Sequence, residues 1–297
     1  MSKLVQLLLS ALARLPLPWL QRLGALLGRL TYFASPRYAE RLQANLGASK
    51  ICGNYQVLHD LVKQSAEETG KGALELSIAW CREPEDIAAM VKACHGWEHV
   101  EAALARGDGI VFVTPHLGSY DIAGRYISSR LPFPLTAMYR PPKLAWLEPV
   151  MQSGRARGKG RTAPATAAGV RVLMKALKSG EATIILPDQV PANGEGVWAP
   201  FFGQAAYTMT LVPRLAQVRG VEVLFFVGER LPKGQGFAVH IEKMDEPFSG
   251  DKEGDVALLN RTVENLIRRF PSQYLWSYNR YKCPPDVERP AATEGNA

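Results

Sequence analysis

Short β-branched and apolar runs alternate with helical segments over most of this chain, and this alternation is what most limits the possible folds. The clearest run, residues 110–114, lies between Gly109 and Pro115, as is typical of a strand buried on both faces. Similar strand-like runs occupy residues 135–139, 183–186, 223–227 and 237–241. Helical spacing is found instead over residues 38–46, 55–80, 84–106, 119–130, 166–177, 206–218 and 256–270. The pattern predicts an α/β fold with a central mixed, largely parallel sheet flanked by helices.

Composition narrows the class of protein further. With 297 residues, 47% of them hydrophobic, the chain can bury a full core without disulfide or metal staples. The 35 basic and 28 acidic residues give a net charge of +7, which favours an anionic partner: nucleic acid, a phosphorylated substrate, an acidic carrier protein or an anionic membrane. The four cysteines show no C-x-x-C spacing, as expected for a protein that faces a reducing cytosol.

The strongly apolar segment 4–33 has three interpretations. A single transmembrane helix is disfavoured because Arg14, Arg22 and Arg29 interrupt the run and two prolines break it. A cleaved signal peptide would use the small residues 11–13, but amphipathic sequence continues past them. The third interpretation is a helical hairpin that lies on a membrane surface.

After Pro18 the large apolar residues recur at helical spacing and form one stripe: Trp19, Leu20, Leu23, Leu26, Leu27, Leu30 and Phe33. Such a stripe, edged by arginine, suits an anionic membrane surface, but it could equally cover the core of the protein itself. Gly24 and Gly28 form a small-x-x-x-small pair that would let another helix approach closely. The expected organisation is a membrane-associating helical segment over residues 1–34, an α/β domain over 35–284 and a flexible tail over 285–297.

Several familiar site motifs are absent from the sequence. There is no G-x-x-x-x-G-K-[ST], no G-x-G-x-x-G and no G-x-S-x-G, so nucleotide binding and ordinary serine hydrolysis lose their usual support. His95 and His99 could share a metal on one helix face, but no third ligand has suitable spacing, and a solvated face is the better interpretation. We therefore expect neither a metal nor a cofactor, and His59 and His240 are taken as incidental.

His116 is the strongest candidate for chemistry. It lies just past a buried strand and before a helix, where α/β sheets bind their ligands. Asp121 follows in the first helical turn, and the turn could fold the ring back onto this carboxylate, which would leave the other ring nitrogen as a base. The backbone N–H groups of Gly118 and Ser119 could stabilise developing negative charge. A capping Asp beside a structural His is the alternative.

The wider sequence resembles a known family. His116 and Asp121, after an apolar strand, match the H-x4-D/E signature of the glycerolipid acyltransferase superfamily. The whole chain from about residue 3 to residue 282 is similar to its bacterial branch, the late (lauroyl/myristoyl-type) acyltransferases of lipid A biosynthesis. The motifs that carry this resemblance are residues 139–141, 186–189, 200–203 and 273–276. Two departures are Ser119-Tyr120, where members often have Asn-Trp, and Leu144-Ala145, where many have Asn-Pro.

The resemblance implies an acyltransferase on the cytoplasmic face of the inner membrane. It would move a fatty acyl chain from acyl carrier protein to a hydroxyl of a lipid A precursor, an anionic lipid acceptor, in lipopolysaccharide biosynthesis. His116 would be the general base, and Asp121 would orient it and stabilise the imidazolium. No covalent enzyme intermediate is needed, consistent with the lack of an obvious Cys or Ser nucleophile motif.

Further candidate residues would bind these substrates. Arg140 follows a strand end, and Arg155 and Arg157 belong to a basic run, so all three are candidates for phosphate recognition, although the run could be a solvated loop. Asp188 and Gln189 follow another strand and would bind polar groups of the substrate or hold a neighbouring arginine. Residues 200–203 would line an acyl-chain groove or pack into the core. Three residues near the C-terminus are interpreted first as closing the fold: Trp276, Tyr278 and Arg280.

Three other functions compete. A lysophosphatidate or other lysophospholipid acyltransferase would use the same His116 and Asp121 on a glycerol hydroxyl. A basic peripheral membrane protein without catalysis is a second alternative. A nucleic-acid binder is weaker, because no basic face interleaved with aromatic residues, helix-turn-helix or zinc pattern is visible.

Overall fold

The computed structural model describes residues 2–139, 148, 159–191 and 194–290. Its first third is helical. The helices there are α1 (Ser2–Arg14), α2 (Leu17–Ala34), α3 (Pro36–Ala48), α4 (Tyr55–Cys81) and α5 (Pro84–Met90). The long helix α4 begins where the Asn54 side chain accepts a hydrogen bond from the Val57 N–H at 3.0 Å, as an N-cap asparagine does. Among the described helices, none is long and apolar enough to cross a bilayer.

The remainder of the described chain alternates strands and helices. In order these are β1 (Val91–His95), α6 (Trp97–Arg106), β2 (Gly109–Val113), α7 (Tyr120–Arg130), β3 (Leu135–Tyr139), β4 (Gly160–Pro164), α8 (Ala167–Lys178), β5 (Ala182–Ile185), β6 (Gly196–Phe201), β7 (Gln204–Met209), α9 (Leu211–Ala216), β8 (Val221–Arg230), β9 (Phe237–Lys243) and α10 (Lys252–Arg269). Strands β6 and β7 form a separate antiparallel hairpin.

The other described strands form one seven-stranded sheet in the order β1-β9-β8-β2-β5-β3-β4. All neighbours are parallel except β8 and β9. Successive residues of β2 point to opposite faces, so Ile110 and Phe112 enter the core beneath α6 and α7, whereas Val111 and Val113 enter the core beneath α8 and α10. Burial on both faces explains why this strand is apolar throughout, and the predicted fold class is confirmed.

Two helical predictions were wrong in part. Residues 84–106 form two helices with strand β1 between them, because β1 pairs in parallel with β9. The first residues of the predicted helix 206–218 lie in β7, and only Leu211–Ala216 is helical. In both places pairing with a distant segment overrides a local pattern that also suits a helix.

The glycine pair of α2 packs against α4. A Cβ built on Gly28 would lie 2.0 Å from the backbone oxygen of Ala66, and one built on Gly70 would lie 2.0 Å from the backbone oxygen of Gly24. The partner helix that this pair was expected to admit is therefore part of the same chain. Next to these glycines, Leu20 is fully buried, so one side of α2 belongs to the core.

We predict that Gly28→Ala destabilises the protein, because the methyl group would push α2 away from α4. Overpacking of this kind costs about 1–3 kcal/mol. Gly47→Ala, in helix α3, is the matched control: the nearest atom to its added Cβ is 3.8 Å away, and alanine is the better helix former there. Thermal unfolding of both variants checks this, and equal melting temperatures would contradict it.

Candidate active site

The candidate site lies where two adjacent parallel strands end. Strands β2 and β5 pair directly, with Val113 opposite Ile185. His116 follows the last residue of β2 by three positions, and Asp188 follows the last residue of β5 by the same three. Because the carboxyl ends of parallel strands lie at one edge of the sheet, the two side chains meet there.

His116 and Asp188 make two contacts. The ring Nδ1 is 2.8 Å from Asp188 Oδ1, and the backbone N–H of His116 donates to Asp188 Oδ2 at 2.9 Å. The ring Nε2 is 3.1 Å from the side-chain nitrogen of Gln189. These contacts fit a neutral ring that carries its proton on Nδ1 and accepts from Gln189 at Nε2. The nitrogen with the lone pair is then the one a substrate could reach.

The orienting carboxylate predicted from the sequence was Asp121, but the one bonded to Nδ1 is Asp188. Asp121 lies in the first turn of α7 and lines the same cavities as His116. Its negative charge acts on the ring by adding to the rise in the His116 pKa. The expectation that the turn folds the ring onto Asp121 failed because a strand neighbour, distant in sequence, supplies the nearer partner.

The charges of this pair stabilise each other. Burial alone lowers the pKa of His116, but the charge and hydrogen bond of Asp188, with a smaller effect from Asp121, raise it above its ordinary value. Burial alone raises the pKa of Asp188, but His116 and, more weakly, Arg280 bring it below its ordinary value. Asp188 therefore stays ionised, and His116 is a stronger base than a solvated imidazole.

Gly118 and Ser119 do not offer their N–H groups to a ligand, contrary to the sequence expectation. The Gly118 N–H donates to the Gln273 carbonyl at 3.0 Å, and the Ser119 N–H donates to the Gly228 carbonyl at 2.7 Å. Gly118 has a φ of +61° and sits so close to Gly228 that a Cβ would lie 2.1 Å from that carbonyl oxygen. These residues fix the turn that carries His116.

His116 lies between two cavities. The larger, of about 470 Å³, is lined by apolar side chains and by three arginines. Among its lining residues are Leu135, Met138, Ile184, Val190, Leu211, Arg125, Arg161 and Arg214. The smaller, of about 210 Å³, lies against α4. His116, Tyr120 and Asp121 line both, so a reacting group could approach the ring from either side.

A buried cluster of charged residues lies beside the smaller cavity, and no sequence motif predicted it. Arg230 donates to both carboxylate oxygens of Glu75, at 2.7 and 2.8 Å, and to Glu68 at 2.6 Å. Lys71 pairs with Glu68 at 2.5 Å. We refer to Arg230, Glu75, Glu68 and Lys71 as the Arg230 cluster. The Ser119 hydroxyl also donates to Glu75, which ties the turn after His116 to α4.

The other predicted residues are distributed as follows. Arg140, Arg155 and Arg157 lie outside the described residues, so their predicted roles are untested. The aromatic residues of segment 200–203 are buried in the core, with Phe201 and Phe202 packed at 4.9 Å between ring centroids. Neither of them is among the described residues that line the two cavities, which favours the packing interpretation.

Within the described residues, no group of His, Cys, Asp and Glu is arranged to hold a metal.

Comparison with known proteins identifies the family. The model of the bacterial lipid A biosynthesis acyltransferases matches residues 2–283. The chain belongs to this family. It is 29% identical over 278 residues to the lipid A biosynthesis lauroyltransferase of Escherichia coli K12, covering 92% of this chain and 88% of that protein. It is 26% identical over 277 residues to the E. coli K12 lipid A biosynthesis palmitoleoyltransferase, with the same coverage.

A third relative is lipid A biosynthesis acyltransferase 2 of Shigella flexneri, 23% identical over 261 residues, or 87% of this chain and 81% of that protein. The family resemblance predicted from the sequence motifs is thus confirmed, and the protein is an acyltransferase of lipid A biosynthesis. The lysophospholipid acyltransferase and the non-catalytic membrane protein lose support accordingly.

We predict that Asp188→Asn lowers the pKa of His116. The amide keeps an acceptor for the His116 N–H but removes the negative charge that stabilises the imidazolium. An NMR titration of the imidazoles measures this, since the chain has only five histidines and His116→Asn identifies the relevant signal. Glu229→Gln is the matched control, because Glu229 contacts His240 at 2.8 Å. An unchanged His116 pKa in Asp188→Asn would contradict the assignment.

Proposed function

We propose that this acyltransferase moves a fatty acyl chain from acyl carrier protein to a hydroxyl of a lipid A precursor, with His116 as general base. The observation that carries the proposal is the Asp188–His116 contact, which leaves Nε2 as the basic nitrogen beside a substrate-sized cavity. An alkyl hydroxyl is a poor nucleophile at neutral pH and needs such a base.

In the proposed reaction the acceptor hydroxyl displaces the Gln189 amide and donates to Nε2 of His116. As the oxygen attacks the thioester carbonyl carbon, its proton passes to Nε2. The carbon–sulfur bond then breaks, and the imidazolium returns the proton to the departing thiolate. The acceptor oxygen is then bonded to the acyl carbon, the donor leaves as a thiol with the proton, and no covalent enzyme intermediate forms.

The two carboxylates have different roles in this proposal. Asp188 holds the ring through Nδ1 and keeps the tautomer that exposes Nε2. Asp121, at the cavity surface, adds negative charge that stabilises the imidazolium once the proton has moved. The pKa of His116 is raised above its ordinary value. As the pH falls through this pKa, the ring becomes protonated and can no longer accept a proton, so turnover should decline at acid pH.

The larger cavity is the proposed acceptor site. Its apolar lining suits acyl chains, and Arg125, Arg161 and Arg214 among its lining residues suit the phosphates of a lipid A precursor. Arg140, Arg155 and Arg157 remain proposed contributors to the same recognition. The net charge of +7 also favours an acidic donor such as acyl carrier protein.

We predict that purified protein transfers acyl chains from acyl carrier protein to a lipid A precursor, and that His116→Asn lowers this rate at least about 100-fold, as expected for loss of a general base. His240→Asn is the matched control, because His240 also contacts a carboxylate yet is not among the described lining residues of either cavity. It should retain the wild-type rate. Product formation is followed by mass spectrometry.

The acceptor distinguishes the alternatives. Turnover with lysophosphatidate and none with the lipid A precursor would favour the lysophospholipid acyltransferase. Full activity in His116→Asn would remove this residue as the base.

For localisation we propose the cytoplasmic face of the inner membrane, with α1 and α2 on the surface of the bilayer. Large apolar side chains of these helices face outward, among them Trp19, Leu26, Leu30 and Phe33. Phe33 is 74% exposed, which is costly in water and favourable in a lipid headgroup region. Arg22 and Arg29 border this surface and suit anionic lipid.

We predict that Leu30→Glu weakens binding to vesicles that contain phosphatidylglycerol by about 10-fold or more, since it removes apolar area and adds repulsion. Val172→Glu on α8 is the matched control because Leu30 and Val172 are similarly exposed, at 54% and 47%. Co-sedimentation measures both. Equal binding by the two variants would place the membrane contact elsewhere. Deleting 1–34 is a poorer test, since it would also remove the buried Leu20.

A further inference from the structure

The excess positive charge of this protein is concentrated in one part of the chain. Residues 149–180 contain no Asp or Glu and seven cationic residues: Arg155, Arg157, Lys159, Arg161, Arg171, Lys175 and Lys178. Because the net charge of the whole chain is also +7, the remaining residues carry equal numbers of the two signs. The charge that favours an anionic partner therefore belongs to this stretch and not to the surface as a whole.

Helix α8 presents three of these cations on one exposed face. Arg171, Lys175 and Lys178 are spaced by four and three residues, so they follow one another along one side of the helix. All three are exposed, whereas Leu173 and Leu177 point into the core. The helix contains no acidic residue, and none of the three cations makes a hydrogen bond or an ion pair with another described residue. The outer face of α8 is therefore positive and open to an anionic partner.

The arginines of α10 are arranged differently. Each has a carboxylate partner on the protein itself: Arg261 with Glu246, Arg268 with Glu264, and Arg269 with Glu242. The charge of these arginines is offset within the molecule, whereas the charge of the α8 face is not.

One end of the α8 face adjoins the larger cavity. The helix follows β4, whose parallel pairing with β3 places its last residue at the same edge of the sheet as His116. Thr166, the N-cap of α8, and Val170, at the end of its first turn, line the cavity that His116 also lines. Arg171 comes next, and Lys178 lies about 10 Å beyond it at 1.5 Å per residue. A partner bound along this face could reach His116 through the cavity with a flexible arm.

We propose that the exposed face of α8, formed by Arg171, Lys175 and Lys178, is the surface on which the acidic acyl carrier protein docks to donate its acyl chain. This inference rests on the proposed function and adds the place where the donor binds. A carrier protein holds its acyl chain as a thioester at the end of a flexible prosthetic group, so docking beside the cavity would deliver the thioester to His116. Complementary charge steers such a partner and fixes its orientation.

An acidic protein suits this face better than a bilayer does. The outward surface of α2 carries several large apolar side chains, among them Trp19 and Phe33. On α8, which is described throughout, Val172 is the one large apolar residue that is exposed. Binding into a membrane surface needs buried apolar area as well as charge. The α8 face offers charge almost alone, as suits a partner whose own surface is hydrated and acidic.

The test is the double charge reversal Arg171→Glu with Lys175→Glu in the full-length protein. We expect its dissociation constant for dodecanoyl acyl carrier protein, measured by fluorescence anisotropy at low salt, to rise at least about 10-fold, because attraction becomes repulsion. The KM for this donor should rise with it. The rate with S-dodecanoyl pantetheine, which lacks the carrier protein, should stay at the wild-type value. Added salt should weaken wild-type binding and narrow the difference between the two proteins.

Lys252→Glu with Arg261→Glu is the matched control. It changes the net charge by the same amount at two exposed positions of α10, and neither residue is among the described lining residues of the two cavities. It should leave the dissociation constant and the KM unchanged. If the charge reversal on α8 fails to fold, Arg171→Ala with Lys175→Ala decides, since alanine preserves the helix. The dissociation constant should then rise about 3-fold or more, as for two lost surface ion pairs.

Wild-type affinity of the α8 variant for the carrier protein would overturn the proposal. With that affinity unchanged, a loss of vesicle binding would assign the face to the bilayer, and a raised KM for the lipid A precursor would assign it to the phosphates of the acceptor. The binding measurement needs no turnover. A wild-type protein that transfers no acyl chain would refute the proposed function, whereas the docking surface is decided by the affinities alone.

Discussion

The contact between His116 and Asp188 is the interaction on which the site depends, and it is produced by the topology of the sheet. Between the two residues the chain passes through α7, β3, β4, α8 and β5, yet they extend from adjacent parallel strands at equal distance from the last paired residues. A shift of β2 against β5 by one residue would separate the carboxylate from the ring. The buried apolar residues of both strands fix that register, so the core of the protein sets the geometry of the contact between His116 and Asp188.

Helix α4 links this site to the outer surface of the N-terminal helices. It receives Gly24 and Gly28 of α2 in a close backbone contact. It also contributes Glu75, which accepts from Gln21 of α2 at 2.8 Å and from the Ser119 hydroxyl beside His116. Side chains with so many partners have little freedom to move. Helix α2, with its exposed apolar surface, and the His116 turn therefore both contact α4. If α2 lay on a bilayer, α4 would fix the distance between that bilayer and the cavity.

The features that could be predicted from the sequence are those that depend on a local residue pattern. The run at residues 110–114 marked β2 because burial on both faces demands an apolar strand, and the same argument located β5. Strand β1 was missed, because Val91–His95 becomes a strand only by pairing with β9. The partner of His116 was misassigned for the same reason. Asp121 is near His116 in sequence. Asp188 reaches the ring only because β2 and β5 are neighbours in the sheet, and no local sequence pattern predicts that pairing.

The charges of neighbouring groups determine how readily the His116 ring takes up a proton. On one side, the Arg230 cluster contains two cations and two carboxylates and is neutral as a whole. On the other, Asp188 contacts the ring through Nδ1. The charges of Asp188 and Asp121 favour the protonated form of His116. When it gains a proton, Asp121 at the cavity surface is positioned to offset the new positive charge. Because the Arg230 cluster is already neutral, no group in it must change its charge when His116 gains a proton, which favours proton transfer to the ring.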